Sequence, residues 1–138
     1  MVRLTIELVV SEELCEQVAR YFRALVGPTS AAPGCVRCTA CRGLMEPRQF
    51  FLRVEWSTRE DLEAYMRSNS FGSLLNLLDL AYKSPRVSFE TVTEVKGLEY
   101  VAEVRSTATQ DPNGARVRAE QTNGDIALRP PEEDFQIN

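Results

Sequence analysis

Apolar and polar residues alternate strictly from residue 2 to residue 8, and residues 2–10 together predict a strand with one buried face. The spacing then changes to that of a helix, with apolar side chains every three or four positions: Leu14, Val18, Phe22 and Leu25. Ser11 is placed to cap this helix at its start, and the pair Gly27-Pro28 predicts its end.

The middle of the chain predicts an antiparallel pair of strands and then a second helix. Residues 35–42 and 50–56 read as the two strands, and the short connection between them favours antiparallel pairing. The sequence Ser-Thr-Arg-Glu at 57–60 has the form of a capping box and predicts the start of the second helix.

A polar break at 68–70 separates the second helix from a third, more apolar one. The pair Ser84-Pro85 predicts the end of this third helix, because the residue before a proline disfavours the helical backbone. Residues 87–95 alternate again and predict a fourth strand.

The predicted order βαββαβ is that of an α+β, ferredoxin-like fold, with helices on one face of an antiparallel sheet. Phe51 and Val92 should lie on the other face, which a chain of 138 residues has no second helical layer to cover. We therefore expect the sheet of a second copy to cover it, in a homodimer. This defines a domain over residues 1–105 and a C-terminal extension over 106–138.

The C-terminal region allows two interpretations. Residues 98–109 alternate and could form a fifth strand, and turn residues at 111–114 and 123–124 favour a short β-meander. The acidic run at 132–134 favours a disordered tail instead. The sequence leaves both alternatives open.

Composition excludes several classes of function. The net charge is -4 without a basic stripe, so we expect no nucleic-acid partner. No apolar run approaches the roughly 20 residues of a membrane helix, so we expect no membrane partner. The N-terminus enters a strand directly without a signal-peptide pattern, so we expect a cytoplasmic protein. The absence of histidine from the sequence excludes a histidine-based triad and a histidine-ligated metal.

Three cysteines, Cys35, Cys38 and Cys41, have the spacing C-x-x-C-x-x-C, which resembles a metal or redox motif. On a regular strand, Cys35 and Cys41 would share one face about 20 Å apart and Cys38 would lie on the other. One metal ion cannot bind thiolates so far apart, since zinc–sulfur bonds measure about 2.3 Å. We therefore interpret them as small side chains within a sheet and predict no metal.

Several segments resemble antibiotic biosynthesis monooxygenase domains over about the first hundred residues. They are Pro33-Gly34 before the second strand, the third strand ending in Glu55-Trp56, and the helix that leads to Phe71. The resemblance implies a dimeric α/β barrel that oxidises a small aromatic or quinol-like molecule without a bound cofactor. Where active members usually carry histidines, this chain has Tyr65 and Ser70. The alternative is therefore a non-catalytic dimer that binds a small molecule and has lost those histidines.

This resemblance also places a candidate ligand pocket between the sheet and the helices, and five residues are expected to line it: Trp56, Tyr65, Met66, Ser70 and Phe71. The ligand would be a small apolar or aromatic molecule, and the phenol of Tyr65 would supply a directed hydrogen bond. The alternative is that Tyr65 and Trp56 only fill the core.

No catalytic residue can be named from the sequence, and Glu55 is the one replacement for a lost histidine base that we consider. Arg37, Arg53 and Glu55 lie on strands with two covered faces, so we expect them to form ion pairs. Isolated glycines such as Gly72 and Gly97 form no phosphate-binding loop, so the sequence does not support a nucleotide cofactor.

Overall fold

The sheet contains four antiparallel strands in the spatial order β2-β3-β1-β4. Their bounds are β1 Val2–Val9, β2 Cys35–Arg42, β3 Gln49–Trp56 and β4 Arg86–Thr91. The computed structural model describes residues 1–110 and the side chains of residues 1–107. A first compact unit runs from Met1 to Thr93, and a second begins at Glu94.

The helices are α1 Cys15–Ser30, α2 Arg59–Met66, α3 Asn69–Leu78 and α4 Leu98–Gln110, with a short 3₁₀ helix at Glu12–Leu14. The order of strands and of α1 to α3 confirms the predicted α+β, ferredoxin-like fold. None of the described helices is both long and apolar enough to cross a membrane.

The core lies between the helices and one face of the sheet. Alternate residues of β1 and β3 contribute fully buried side chains: Leu4, Ile6, Leu8, Leu52, Val54 and Trp56. From α1, Val18 and Phe22 pack into the same cluster, and Leu74 does so from α3. The alternation read from the sequence is therefore the alternation of buried side chains in the structure.

Helix α1 continues through the predicted end at Gly27-Pro28 and ends at Ser30. A proline near the end of a helix removes one backbone hydrogen bond, and the following turn can still close. Here the backbone N–H of Ala31 donates to the carbonyl of Gly27 at 3.1 Å. The additional turn buries Thr29, which is only 2% exposed, one turn after the buried Leu25.

Side-chain caps separate the two helices that follow β3. At the start of α2, the cap is Thr58 and not Ser57, because the backbone N–H of Asp61 donates to the Thr58 hydroxyl at 3.1 Å. At the start of α3, the backbone N–H of Phe71 donates to the Ser68 hydroxyl at 3.2 Å. The capping box is therefore one residue later than predicted, and the predicted break near residue 68 is confirmed.

The sheet face opposite the helices is mainly polar. Phe51 is half-buried there, but Arg3, Thr5 and Glu7 of β1 point the same way, since they alternate with the buried residues. Phe51 therefore lies on this second face as predicted, whereas Val92 follows the end of β4 and is not part of the sheet.

A β-bulge in β2 changes the predicted placement of the cysteines. Cys35 pairs with Trp56 and Cys38 pairs with Val54, and the register shifts between these pairs because Val36 is an extra residue. Directly paired residues point to the same face, so Cys35 and Cys38 both face the helices. Cys41 pairs with Phe51 on the opposite face. The predicted pairing of Cys35 with Cys41 on one face was wrong.

The region after β4 is helical where a fifth strand was considered. Leu98, Val101 and Val104 are three residues apart and fit one side of a helix, whereas the alternation of a strand rested on Leu98, Tyr100, Ala102 and Val104. Both patterns are present in the same segment, and the interpretation as a strand was wrong. The predicted β-meander and acidic tail lie outside the described residues.

Candidate functional site

A cavity of about 240 Å³ lies where the end of α1, the loop before β2, the end of β3 and helix α2 meet. The lining residues that bear on its chemistry are Thr29, Trp56, Asp61, Tyr65 and Ser70. Trp56 is the last residue of β3, and Tyr65 is the next-to-last residue of α2. The cavity is therefore built from elements that the fold brings together from distant parts of the sequence.

Two aromatic contacts hold Tyr65 in place. Its ring centroid is 4.9 Å from that of Trp56, with the planes tilted by 34°. On its other side, the ring of Phe71 is 5.4 Å away at 72°, in an edge-to-face arrangement. Such pairs stabilise beyond their buried area by about 0.5–1.5 kcal/mol. Tyr65 is thus a fixed wall of the cavity.

Three polar atoms in these walls are buried without a hydrogen-bond partner among the described residues: Thr29 Oγ1, Trp56 Nε1 and Tyr65 OH. All three residues line the cavity. A buried polar atom without a partner typically costs about 1–3 kcal/mol, so three in one cavity need an explanation. A bound molecule that supplies hydrogen bonds at this place would remove that cost.

Burial raises the pKa of the Tyr65 phenol above its usual value of 10.0, and the nearby Thr29 hydroxyl acts in the opposite direction. The Thr29 hydroxyl is therefore close enough to act on the phenol, although the two groups do not meet hydrogen-bond geometry. With a raised pKa, the phenol stays protonated at neutral pH. The Tyr65 hydroxyl is therefore a potential hydrogen-bond donor.

Asp61 supplies the one carboxylate among the residues that line this cavity. It lies one helical turn before Tyr65, on the same side of α2, and its Oδ2 accepts a hydrogen bond from the Thr58 hydroxyl at 2.9 Å. Its side chain packs directly over Gly34, whose φ of 82° suits glycine. A Cβ atom at position 34 would collide with the Asp61 carboxylate. Because residue 34 is a glycine, there is space for the Asp61 carboxylate beside the cavity.

The structure brings together three of the five predicted pocket residues, since Trp56, Tyr65 and Ser70 line the cavity. Phe71 lies in the core behind Tyr65, and Met66 packs against the core. These two side chains support the wall and do not line the cavity.

Glu55, considered as a base, lies on the opposite face of the sheet from the cavity. Its carboxylate is 3.1 Å from the Arg3 guanidinium and 3.9 Å from that of Arg37. The expected ion pairing is therefore found for Arg37 and Glu55, with Arg3 as the closer partner. Arg53 makes no ion pair with any residue that the structure describes.

All four cysteines are free. Burial and the neighbouring Cys35 raise the pKa of the Cys38 thiol to about 11, which makes it a poor nucleophile at neutral pH. Within residues 1–110, no group of three or more acidic or cysteine side chains could hold a metal ion.

The sequence interpretation missed Thr29 and Asp61. Thr29 follows Leu25 by four residues and continues the buried side of α1. It was missed because Gly27-Pro28 predicted that the helix ends before it. Asp61 precedes Tyr65 by four residues, on the same side of α2, and it is half-buried at the cavity. The four-residue spacing of a helix, counted from Leu25 and from Tyr65, could have indicated Thr29 and Asp61.

Solved structures with the same fold share little sequence with this chain. A protein of Deinococcus radiodurans described as a candidate antibiotic biosynthesis monooxygenase is 14% identical, with a TM-score of 0.66 over 71% of this chain and 98% of its own. A similarly described protein of Nitrosomonas europaea is 16% identical, with a TM-score of 0.62 over 68% of this chain and 100% of its own. A protein of Mycobacterium tuberculosis is 13% identical, with a TM-score of 0.63 over 70% and 98%. No curated protein matches the sequence.

These likenesses establish the fold, and the family follows from the sequence. The profile of the antibiotic biosynthesis monooxygenase family matches residues 1–75, which is more than half of the chain and spans β1 through most of α3. The chain therefore belongs to the antibiotic biosynthesis monooxygenase family.

Proposed function

We propose that this protein binds a small aromatic molecule in the cavity beside Tyr65, through an oxygen atom of the ligand that accepts hydrogen bonds. The observation that carries the proposal is the set of three buried, unpartnered polar atoms on the cavity walls. Family membership supports a site between the sheet and the helices for a small aromatic or quinol-like molecule.

The size of the cavity supports a compact ligand. An apolar cavity of about 150 Å³ is enough for benzene. At about 240 Å³, this cavity has room for one or two rings. The flat face of the Trp56–Tyr65 pair is a suitable wall for such a molecule.

The hydrogen-bonding character of the walls supports an acceptor oxygen. An indole N–H can only donate, so the buried Nε1 of Trp56 requires an acceptor. The protonated phenol of Tyr65 can donate as well. A carbonyl, quinone or phenolate oxygen fits both donors.

The protein acts, in this proposal, as a homodimer. The edge strand β4 is exposed along its whole length, with Phe89 54% and Val87 42% exposed. On the polar face of the sheet, Arg3 Nε and Thr5 Oγ1 are buried without partners among the described residues. A second copy could cover both surfaces. Light scattering should give twice the mass of one chain, and a monomer at micromolar concentration would contradict this.

A second candidate function is cofactor-independent monooxygenation, and the carboxylate of Asp61 at the cavity is the observation that favours it. Asp61 would take a proton from the substrate, while Tyr65 and Trp56 donate to the resulting oxyanion. A substrate carbon with two hydrogens would then react with O₂. One oxygen atom would become its carbonyl oxygen, and the other would leave as water with both hydrogens.

One experiment separates binding from turnover. Titration of the purified protein with anthrone-like and quinone-like compounds, followed by calorimetry, should give saturable binding that Tyr65→Phe weakens. Oxygen uptake is measured on the same samples, with Asp61→Asn as the variant of the candidate base. Binding without uptake leaves the first function, uptake lost in Asp61→Asn supports the second, and the absence of binding to every compound counts against both.

The double variant Tyr65→His/Ser70→His restores the residue types usual in active members of the family. Both positions line the cavity. A gain of oxygen uptake would support a barrel that kept its binding site after losing the histidines. A folded but inert double variant would mean that the cavity itself has diverged.

A further inference from the structure

A second groove, separate from the cavity beside Tyr65, runs between α1 and the edge strand β2, with a volume of about 360 Å³. Four of its residues, Ala19, Phe22, Arg23 and Val26, follow one side of α1 at helical spacing. Strand β2 contributes Ala40, Cys41 and Arg42, and β3 contributes Phe50. No residue of this groove lines the first cavity.

The floor of the groove is apolar and rigid. The rings of Phe22 and Phe50 meet edge to face, with centroids 5.7 Å apart at 80°. Both side chains are almost fully buried in the core cluster. The floor therefore does not depend on a ligand for its shape.

Two arginines, Arg23 and Arg42, line the groove, and no acidic residue does so. The Arg42 guanidinium stands 5.3 Å from the Phe50 ring centroid and donates to the carbonyl of Pro47. Its pairing with Glu16 at 3.5 Å is between exposed side chains and is weak. Arg23 forms no ion pair with the described residues. The groove therefore combines an apolar floor with positive charge that is only partly neutralised.

We propose that this groove binds amphipathic monocarboxylates, with the apolar part of the ligand on Phe22 and Phe50 and the carboxylate held by Arg23 and Arg42. Guanidinium groups form strong, paired hydrogen bonds with carboxylates. The groove volume lies within the range of small-molecule sites, about 300–1,000 Å³. An uncharged ligand would leave the two arginines unused, and a cation would be repelled.

Calorimetric titration of the full chain tests the proposal. The probe is octanoate, with octanol and octylammonium as matched uncharged and cationic controls. Octanoate should bind in a saturable manner, and neither control should bind at the same concentration.

Variants of the arginines identify the charged contact. Arg23→Gln should raise the dissociation constant for octanoate about tenfold, the loss expected for one charged hydrogen bond. Arg42→Gln should have the same effect, but it also loses the contact with Pro47. Arg23→Gln therefore decides the result if Arg42→Gln unfolds. The control Arg20→Gln removes an exposed arginine from the same helix outside the groove and should change nothing.

Two results would overturn the proposal. One is the absence of octanoate binding at millimolar concentration. The other is equal binding of octanoate, octanol and octylammonium, because the arginines would then make no contact that depends on the charge of the ligand. Neither result bears on the ligand of the cavity beside Tyr65, which shares no residue with this groove.

Discussion

Trp56 and Tyr65 join the end of β3 to helix α2 through one aromatic contact, with ring centroids 4.9 Å apart. Each ring also carries a buried polar atom that has no partner among the described residues. The rings therefore stabilise the fold through their contact, whereas the two polar atoms gain no hydrogen bond from it. In the proposed function, these atoms bind the ligand.

Tyr65→Phe should leave stability almost unchanged and weaken ligand binding. The hydroxyl makes no hydrogen bond within residues 1–110, so its removal should change the free energy of unfolding by less than about 0.5 kcal/mol, against about 0.5–1.5 kcal/mol for a bonded hydroxyl. Denaturant unfolding and ligand titration measure the two effects. Tyr21→Phe, which alters a tyrosine away from the cavity, should leave affinity unchanged. A large loss of stability in Tyr65→Phe would mean that the phenol is a core group only.

Glu55→Gln should destabilise the protein without changing ligand affinity. Arg3 is three-quarters buried at its side chain and would lose its 3.1 Å ion-pair partner. We expect the free energy of unfolding, measured in urea, to fall by about 1–3 kcal/mol. The fall is smaller than for a fully buried ion pair because Arg3 and Arg37 keep contact with water. Glu63→Gln, in an exposed pair with Arg67, is the matched control and should cost about 0.5 kcal/mol or less. If Glu55→Gln abolished turnover without destabilisation, Glu55 would have to act as a base after all.

Glu46 should keep its charge in acid. Its hydrogen bonds with Arg48 lower the pKa of this carboxyl from 4.5 to about 2. Because the pKa is lowered in the folded state, the contact stabilises fully above the unfolded pKa, and this stabilisation is lost as the pH falls from 4.5 towards 2. Titration followed by NMR should place the Glu46 midpoint near the lower value, and Arg48→Gln should return it towards the usual range. A wild-type midpoint at the usual value would show that the pair does not hold in solution.

The cysteines should react with thiol reagents in a defined order. Cys41 is exposed, whereas Cys38 is half-buried and has a pKa of about 11. At pH 8, only about one Cys38 thiol in a thousand would be ionised, and the thiolate is the reactive form. Peptide mass spectrometry after brief alkylation should therefore detect modified Cys41 well before modified Cys38. Early modification of Cys38 would mean that β2 opens from the sheet.

Much of the fold could be predicted because local signals agreed with one another. The alternation in β1 and β3, the cap at Thr58 and the break at Ser68 each have a direct physical cause within a few residues of sequence. The prediction failed where contacts between distant parts of the chain determined the local structure. Helix α1 passes Pro28 because Thr29 gains burial, and this depends on packing with distant parts of the chain.

The candidate site was only partly predictable for the same reason. Trp56 and Tyr65 could be named from residue type and position, and both line the cavity. Thr29 could not be placed there while the helix was thought to end before it. Cys35 could not be placed on the helix-facing side because a bulge leaves no clear mark in the sequence around Val36.

The bulge at Val36 also makes the two edges of the sheet unequal. Strand β2 is interrupted there and carries Arg37 and Arg42, features that discourage pairing with a further strand. Strand β4 pairs with β1 in unbroken register and is exposed along its length. A sheet with two open edges can add chains without limit and form fibres, whereas a sheet with one open edge can add a strand only once. A single extra residue thus leaves β4 as the edge better suited to pairing with another strand.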